Sequence, residues 1–217
     1  SQGTLGLITE IKVGLIKPKK HSKLLVIFLN DLKPLGKIVN EILKYNPESF
    51  ESYDDNTLKL GMRYLFWQFA FQFLPELGMV LRGGLPQLVL IAEFTGDSID
   101  EVDQKALAAQ QDIAHFKLPT RITKNAKETA KYWTVRRESF NLLRQKIKDK
   151  QTAPFIDDII VQPEKLPQFL PQLKKILNKY DITYTIAGHV GNGNFHIIPL
   201  MNLADKKSGQ IITELSK

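Results

Sequence analysis

Tyr184-Thr185-Ile186-Ala187-Gly188-His189-Val190-Gly191-Asn192-Gly193-Asn194-Phe195-His196-Ile197-Ile198-Pro199-Leu200 sets two short apolar runs on either side of a Gly/Asn-rich turn. The flanking runs, Tyr184–Ala187 and Phe195–Leu200, are rich in the branched and aromatic side chains that suit a pleated strand. Asn192-Gly193 is a hairpin signal, because both residue types tolerate positive φ. Strands joined by so short a turn are antiparallel, since a parallel pair needs a long crossover. The stretch therefore argues for a mostly antiparallel sheet and against a doubly wound parallel one.

The same stretch holds His189 and His196, two of the four histidines in the chain. If the flanking runs pair, the imidazoles face each other across the ladder with Cβ atoms about 4.5–5.5 Å apart. Two imidazoles at that range can share a divalent metal at about 2.0–2.1 Å from each nitrogen. A tight site needs at least one more ligand, a carboxylate or a third histidine from elsewhere. On spacing alone the pair reads equally well as two incidental surface histidines, and both readings stand. Glycines at 188, 191 and 193 are expected to let backbone or a ligand approach closely.

Residues upstream alternate between strand and helix patterns. Residues 4–16 read as a strand or two with glycine breaks, and Lys17–His21 as a basic connector. Lys23–Leu29 reads as a buried strand, and residues 32–43 as a helix with Asp31 as N-cap. Ser49–Tyr53 is a further strand candidate, and Gln87–Phe94 the strongest strand. Ser98 followed by Glu101 is a capping box that opens a helix. Lys124–Lys148 reads as a long helix, Phe155–Val161 as a strand, and Pro163 as the first residue of another helix. The expected fold is α+β, a mostly antiparallel ferredoxin-like sheet covered by helices on one face.

Residues 64–81 (YLFWQFAFQFLPELGMVL) crowd six of the chain's aromatic side chains into one segment interrupted by Pro75. The run falls short of the roughly 20 apolar residues of a spanning helix. It reads either as a buried helix or as a surface that docks on a membrane or partner.

Composition adds bounds. With no cysteine there is no disulfide, thiolate metal site or cysteine nucleophile. The net charge of +7 favours anionic ligands, but the lysines are scattered, and no strand shows the interleaved basic and aromatic pattern of RNA-binding sheets. Nucleic acid is therefore not an expected partner. Ser1–Gly6 carries no signal-peptide pattern, and the absence of an initiator Met suits a piece of a longer protein. A cytoplasmic location, or a peripheral one at the inner face of the cell membrane, is expected.

Four segments carry a family resemblance. Gly188–His196 is similar to the G-H-x-G-D-G-N-[LF]-H motif of the FAD-linked oxidases and dehydrogenases of 2-hydroxy acids, which include D-lactate dehydrogenase, the glycolate oxidase flavin subunit and D-2-hydroxyglutarate dehydrogenase. Gly3-Thr4-Leu5-Gly6-Leu7-Ile8-Thr9-Glu10 resembles the segment that ends their flavin-binding domain. Tyr132–Glu138 resembles their W-x-x-R segment, and Asp157–Leu166 their D-x-x-V-P strand and helix start. The resemblance implies that residues 1–20 end the FAD-binding domain and that 21–217 form the C-terminal cap, or substrate, domain without its last part.

It further implies a flavin-linked oxidation of a 2-hydroxy acid of the D-lactate or glycolate type. His189 and His196 would take catalytic roles and bind a divalent metal (Zn, Fe or Mn). Arg136 would pair with the substrate carboxylate, and Asn194 would help hold the loop or ligand. Gly3, Thr4, Gly6 and Ile8 would adjoin the FAD. A separate electron acceptor or iron–sulfur partner is also implied. The family supplies a further metal ligand and proton acceptor from a Glu-His-Gly segment outside these residues, so the isolated chain is expected to be inactive. Two departures stand out: Asn192 replaces the motif's Asp, and Ile156 stands where some dicarboxylate-handling relatives carry Lys. The competing readings are a non-catalytic basic ferredoxin-like module for nucleic acid, and a membrane- or partner-docking domain built on residues 64–81.

Overall fold

Strand β1 (His21–Leu29) is buried along its last six residues. Leu25, Ile27 and Leu29 enter one core, while Leu24, Val26 and Phe28 enter another. Successive strand side chains point to opposite faces, so this partition means that the sheet is covered on both sides. The computed structural model describes residues 5–59, 78, 84–146 and 150–216, with side chains left out over 138–146.

The described strands form one eight-stranded sheet of order β4-β1-β3-β2-β7-β8-β5, with β6 also pairing β8. They are β2 (Ser49–Asp54), β3 (Leu88–Gly96), β4 (Thr120–Ile122), β5 (Gln151–Thr152), β6 (Asp158–Ile160), β7 (Thr183–His189) and β8 (Asn194–Met201). Their pairings are antiparallel throughout, the β7–β8 hairpin among them.

One face is covered by α1 (Leu35–Leu43), α2 (Ile99–Asp112) and α4 (Leu166–Leu177), whose apolar stripes bury Ile38, Ala106 and Leu170 among others. The long helix α3 (Ala126–Lys146) lies on the other face through Tyr132 and Val135. The one-face expectation is corrected here. Apolar side chains on both faces of β1 and β3 demand cover on both, and this is visible in their continuous apolar runs once each is read as a central strand. The chain also forms α5 (Lys206–Leu215), which the sequence reading had not marked.

Local chemistry sets several boundaries. Ser98 Oγ accepts from the Glu101 N–H at 3.2 Å, and Glu101 Oε2 accepts from the Asp97 N–H at 3.0 Å, a slightly offset capping box. Asp31 instead closes a turn on the Lys33 N–H at 3.0 Å, and α1 starts later, after Pro34. Residues 6–19 have no regular secondary structure, and the side chains of Leu7 and Ile16 are 96% and 85% exposed. Of the strand expected over 4–16, the described residues 5–16 form none and pair with no strand of the described sheet. Most of the aromatic segment, residues 64–77 and 79–81, lies outside the described residues. Among the described residues no helix is long and apolar enough to cross a membrane.

Candidate functional site

The β7–β8 hairpin is tighter and differently phased than its sequence suggests. A 3-10 turn over Val190–Asn192 leads into Gly193, which alone in the turn takes positive φ (67°). The ladder pairs His189 with Asn194 and His196 with Ala187. The two histidines are therefore diagonal neighbours and not directly opposed. They still share a face, because His189 and Ala187 are two residues apart. Their ring centroids lie 5.4 Å apart at an interplanar angle of 89°.

Glycine serves backbone approach here, and the approaching group is the chain itself. A Cβ at Gly188 would meet Asn194 O at 2.2 Å, and one at Gly193 would meet Val161 O at 1.8 Å. The Val161 N–H donates to Gly193 O at 2.9 Å, which ties the turn to the segment after β6.

The face that carries the histidines is the α3 face. Tyr53 of β2 pairs with Ala187 and belongs to the core beneath α3, so Glu51, two residues back, points the same way. Its carboxylate is the hub of the site. Oε1 lies 2.6 Å from His189 Nδ1, and Oε2 accepts from Arg136 Nε at 3.3 Å, with Nη2 at 3.2 Å. Arg136 reaches it because it follows the buried Tyr132 by four residues, one helical turn along the same side of α3. Glu51 is only 8% exposed as a residue, whereas the His189 side chain is 51% exposed. A buried carboxylate thus faces one permanent cation and one half-exposed imidazole.

His196 has a different environment. Its Nδ1 lies 3.5 Å from Asp157 Oδ1 and 3.6 Å from Asp158 Oδ1, ion-pair distances without a hydrogen bond. Asn194 Nδ2 donates to Asp158 Oδ1 at 2.9 Å, while Asn194 Oδ1 is buried with no hydrogen-bond partner among the described residues. A buried acceptor left open is costly, and it marks a place for a donor. A cleft of about 200 Å³ beside His189 is lined by Glu51, Ser49, Gly191 and Asn192.

Of the residues singled out from sequence, the fold brings His189, His196, Asn194 and Arg136 to one face. Gly6 and Ile8 lie in the exposed segment before β1, with nothing within 4 Å of a Cβ built on Gly6 and Ile8 79% exposed. Gly3 and Thr4 lie outside the described residues. Gly6 and Ile8 are therefore packed against nothing in the described part of the chain. Among the described residues no group of three or more His, Cys, Asp or Glu side chains is arranged to hold a metal ion. The two imidazoles alone do not make a metal site.

Glu51 escaped the sequence reading. The signal was present in SFESYD: the charged Glu51 stands between Phe50 and Ser52 in the middle of a strand whose last five residues are all buried. Which cation it meets depends on β7 and α3, far away in sequence.

A family model described as FAD linked oxidases, C-terminal domain, matches residues 18–216. Among curated relatives, the D-2-hydroxyglutarate dehydrogenase of Pseudomonas putida is 24% identical over all of this chain and 22% of its own length. The mitochondrial D-lactate dehydrogenase (cytochrome) 1 of Saccharomyces cerevisiae is 25% identical over 90% of this chain and 32% of its own. The glycolate oxidase subunit GlcD of Bacillus subtilis is 24% identical over 90% of this chain and 38% of its own. The chain thus spans between about a fifth and two fifths of the relatives it matches. Solved structures agree on the fold. An alkyldihydroxyacetonephosphate synthase superposes with a TM-score of 0.65 at 10% identity, covering 91% of this chain and 38% of the other. Substrate-bound p-cresol methylhydroxylase gives 0.61 at 12% identity, with 91% and 43% covered.

Proposed function

The chain belongs to the FAD linked oxidases, as their C-terminal domain, and from that premise we propose that it is the substrate-side part of an FAD-dependent oxidoreductase acting on a small 2-hydroxy acid. Residues 1–20 would then finish the flavin-binding domain, and 21–217 would form most of the cap. The observation that carries the reading is the convergence of Arg136, Glu51, His189, His196 and Asn194 on one sheet face. Relatives named for D-2-hydroxyglutarate, D-lactate and glycolate share a 2-hydroxycarboxylate or its like as substrate.

In this reading the chain's residues bind and orient. Arg136 spends its Nε/Nη2 edge on Glu51. A guanidinium has five N–H donors in a rigid fork, so its Nη1/Nη2 end is left for a substrate carboxylate. The carboxylate would meet it bidentately, the geometry for which arginine is suited. The substrate hydroxyl would sit near the histidines with its one hydrogen directed at the base, and Asn194, whose buried Oδ1 has no hydrogen-bond partner among the described residues, would help hold the loop or ligand. The base that takes the hydroxyl proton would come from outside the described residues, because a metal on the pair would use the lone pair of each imidazole. Bound flavin would accept the hydride, the redox chemistry belonging to the cofactor.

A divalent metal at His189 and His196 remains part of the proposal, and it needs a third ligand from outside the described residues. We place the substrate in the D-lactate or glycolate type. Ile156 is apolar and packs partly buried against the core, so it offers a dicarboxylate no second cation. An electron acceptor or iron–sulfur partner completes the turnover.

Steady-state assays of the complete protein with D-lactate, glycolate and D-2-hydroxyglutarate, using a dye as electron acceptor, test this. Turnover of a monocarboxylate is expected. A preference for D-2-hydroxyglutarate overturns the substrate type, and inertness toward all three overturns the 2-hydroxy-acid reading.

A further inference from the structure

We propose that Glu51 is a positioning residue: its buried carboxylate fixes His189 as the Nδ1–H tautomer and so turns an Nε2 lone pair toward the open face of the hairpin.

An ionised carboxylate accepts hydrogen bonds and donates none. The 2.6 Å separation of Glu51 Oε1 from His189 Nδ1 is a charge-assisted hydrogen-bond distance. The proton must therefore be on Nδ1. Arg136 donates to the other carboxylate oxygen, so both oxygens of Glu51 act as acceptors. The two oxygens thus have separate duties, Oε2 for the arginine on α3 and Oε1 for the histidine on β7. Neutral imidazole carries one proton, so with Nδ1 protonated the Nε2 is unprotonated. The half-exposed ring leaves Nε2 reachable. Either use of that nitrogen, as a proton acceptor or as a metal ligand, needs its lone pair, and a carboxylate behind an imidazole is a recurrent way to hold it there.

His196 receives no such constraint. Its Nδ1 stands 3.5 Å and 3.6 Å from two aspartates without a formed hydrogen bond. The pair is therefore unequal: His189 is set, and His196 is free to choose its tautomer. This inference deepens the reading of the site as a 2-hydroxy-acid site, but the tautomer follows from the geometry and needs no substrate.

Nitrogen-15 NMR of the histidine side chains, on this chain and on its Glu51→Ala, Glu51→Gln and His196→Ala variants, tests it without flavin or turnover. The spectra are taken at a pH where the imidazoles are neutral, with backbone amide dispersion as the check on folding. In the wild type, His189 should show a protonated Nδ1 and an unprotonated Nε2. Gln has one acceptor oxygen, which the donor-only Arg136 claims, and its NH2 can only donate to Nδ1, so Glu51→Gln should turn His189 to the Nε2–H tautomer, whereas Glu51→Ala should lose the preference. A wild-type His189 protonated on Nε2, or a folded Glu51→Ala whose tautomer is unchanged, overturns the proposal. If Glu51→Ala does not fold, the wild-type spectrum and Glu51→Gln decide. The tautomer can hold while every 2-hydroxy acid fails in the enzyme assay, so the two readings fail separately.

Discussion

Glu51 and His189, 138 residues apart in sequence, are joined through Oε1 and Nδ1 at 2.6 Å, and the carboxylate that holds the imidazole also holds Arg136. Three elements, β2, β7 and α3, thereby meet at one buried charge. The consequences reach substrate binding, metal content and stability.

Arg136→Lys keeps the charge and loses the fork. A carboxylate met by one ammonium gives up one of two parallel charge-assisted bonds, each worth about 1.5–3 kcal/mol. In the complete enzyme, KM for the 2-hydroxy acid should rise by roughly tenfold or more, with kcat changed less. Steady-state kinetics check this, and an unchanged KM clears Arg136 of carboxylate binding.

His189→Ala and His196→Ala should each lower turnover and bound divalent metal together, as measured by kinetics and by elemental analysis of the purified complete enzyme. Full metal content in both variants removes the metal from the pair. Asn192→Asp, which adds a carboxylate at the mouth of the cleft beside His189, should raise affinity for added Zn²⁺ in an isothermal titration.

Gly193→Ala should destabilise the fold. The residue sits at φ 67°, and the new methyl would meet Val161 O at 1.8 Å. Left-handed backbone costs a non-glycine residue about 1–2 kcal/mol before any clash, and the clash forces the turn off β6. A drop in melting temperature is expected, and an unchanged one refutes the contact.

Asp54 offers a pH prediction. It is 1% exposed, and burial pushes its carboxyl up to about 6 against the opposing hydrogen bonds from Thr57. A carboxyl raised in the folded state favours the protonated form, so its contribution is fully present below about pH 4. It is lost as pH rises through about 6, a span worth about 3 kcal/mol. Asp54→Asn keeps an acceptor for Thr57 and carries no charge. It should stabilise the protein at pH 7 and flatten the slope between pH 4 and 6 in chemical denaturation. A variant as pH-sensitive as the wild type would show that another group titrates.

Much of the architecture was legible because it rests on local rules. The apolar run of β1, the offset capping box at Ser98 and the glycine turn before Asn194 are each decided within a few residues of chain. The reading failed where a segment's state depends on a neighbour. Residues 6–19 have strand-forming composition but pair with no strand of the described sheet. The α3 face of the sheet was missed because helix propensity does not say which side of a sheet a helix covers.

The sequence by itself determined that the sheet is antiparallel, that His189, His196 and Asn194 sit on one hairpin, and that Arg136 lies on a helix. Turn chemistry, strand periodicity and side-chain type are properties of short stretches. Only the tertiary structure decided that the histidines are diagonal and that Glu51 stands between His189 and Arg136. Register across a four-residue turn shifts which residues oppose, and a salt bridge across 85 positions forms only when the strands and helix are packed. The hairpin's motif named the nitrogens, and the fold gave one of them its proton.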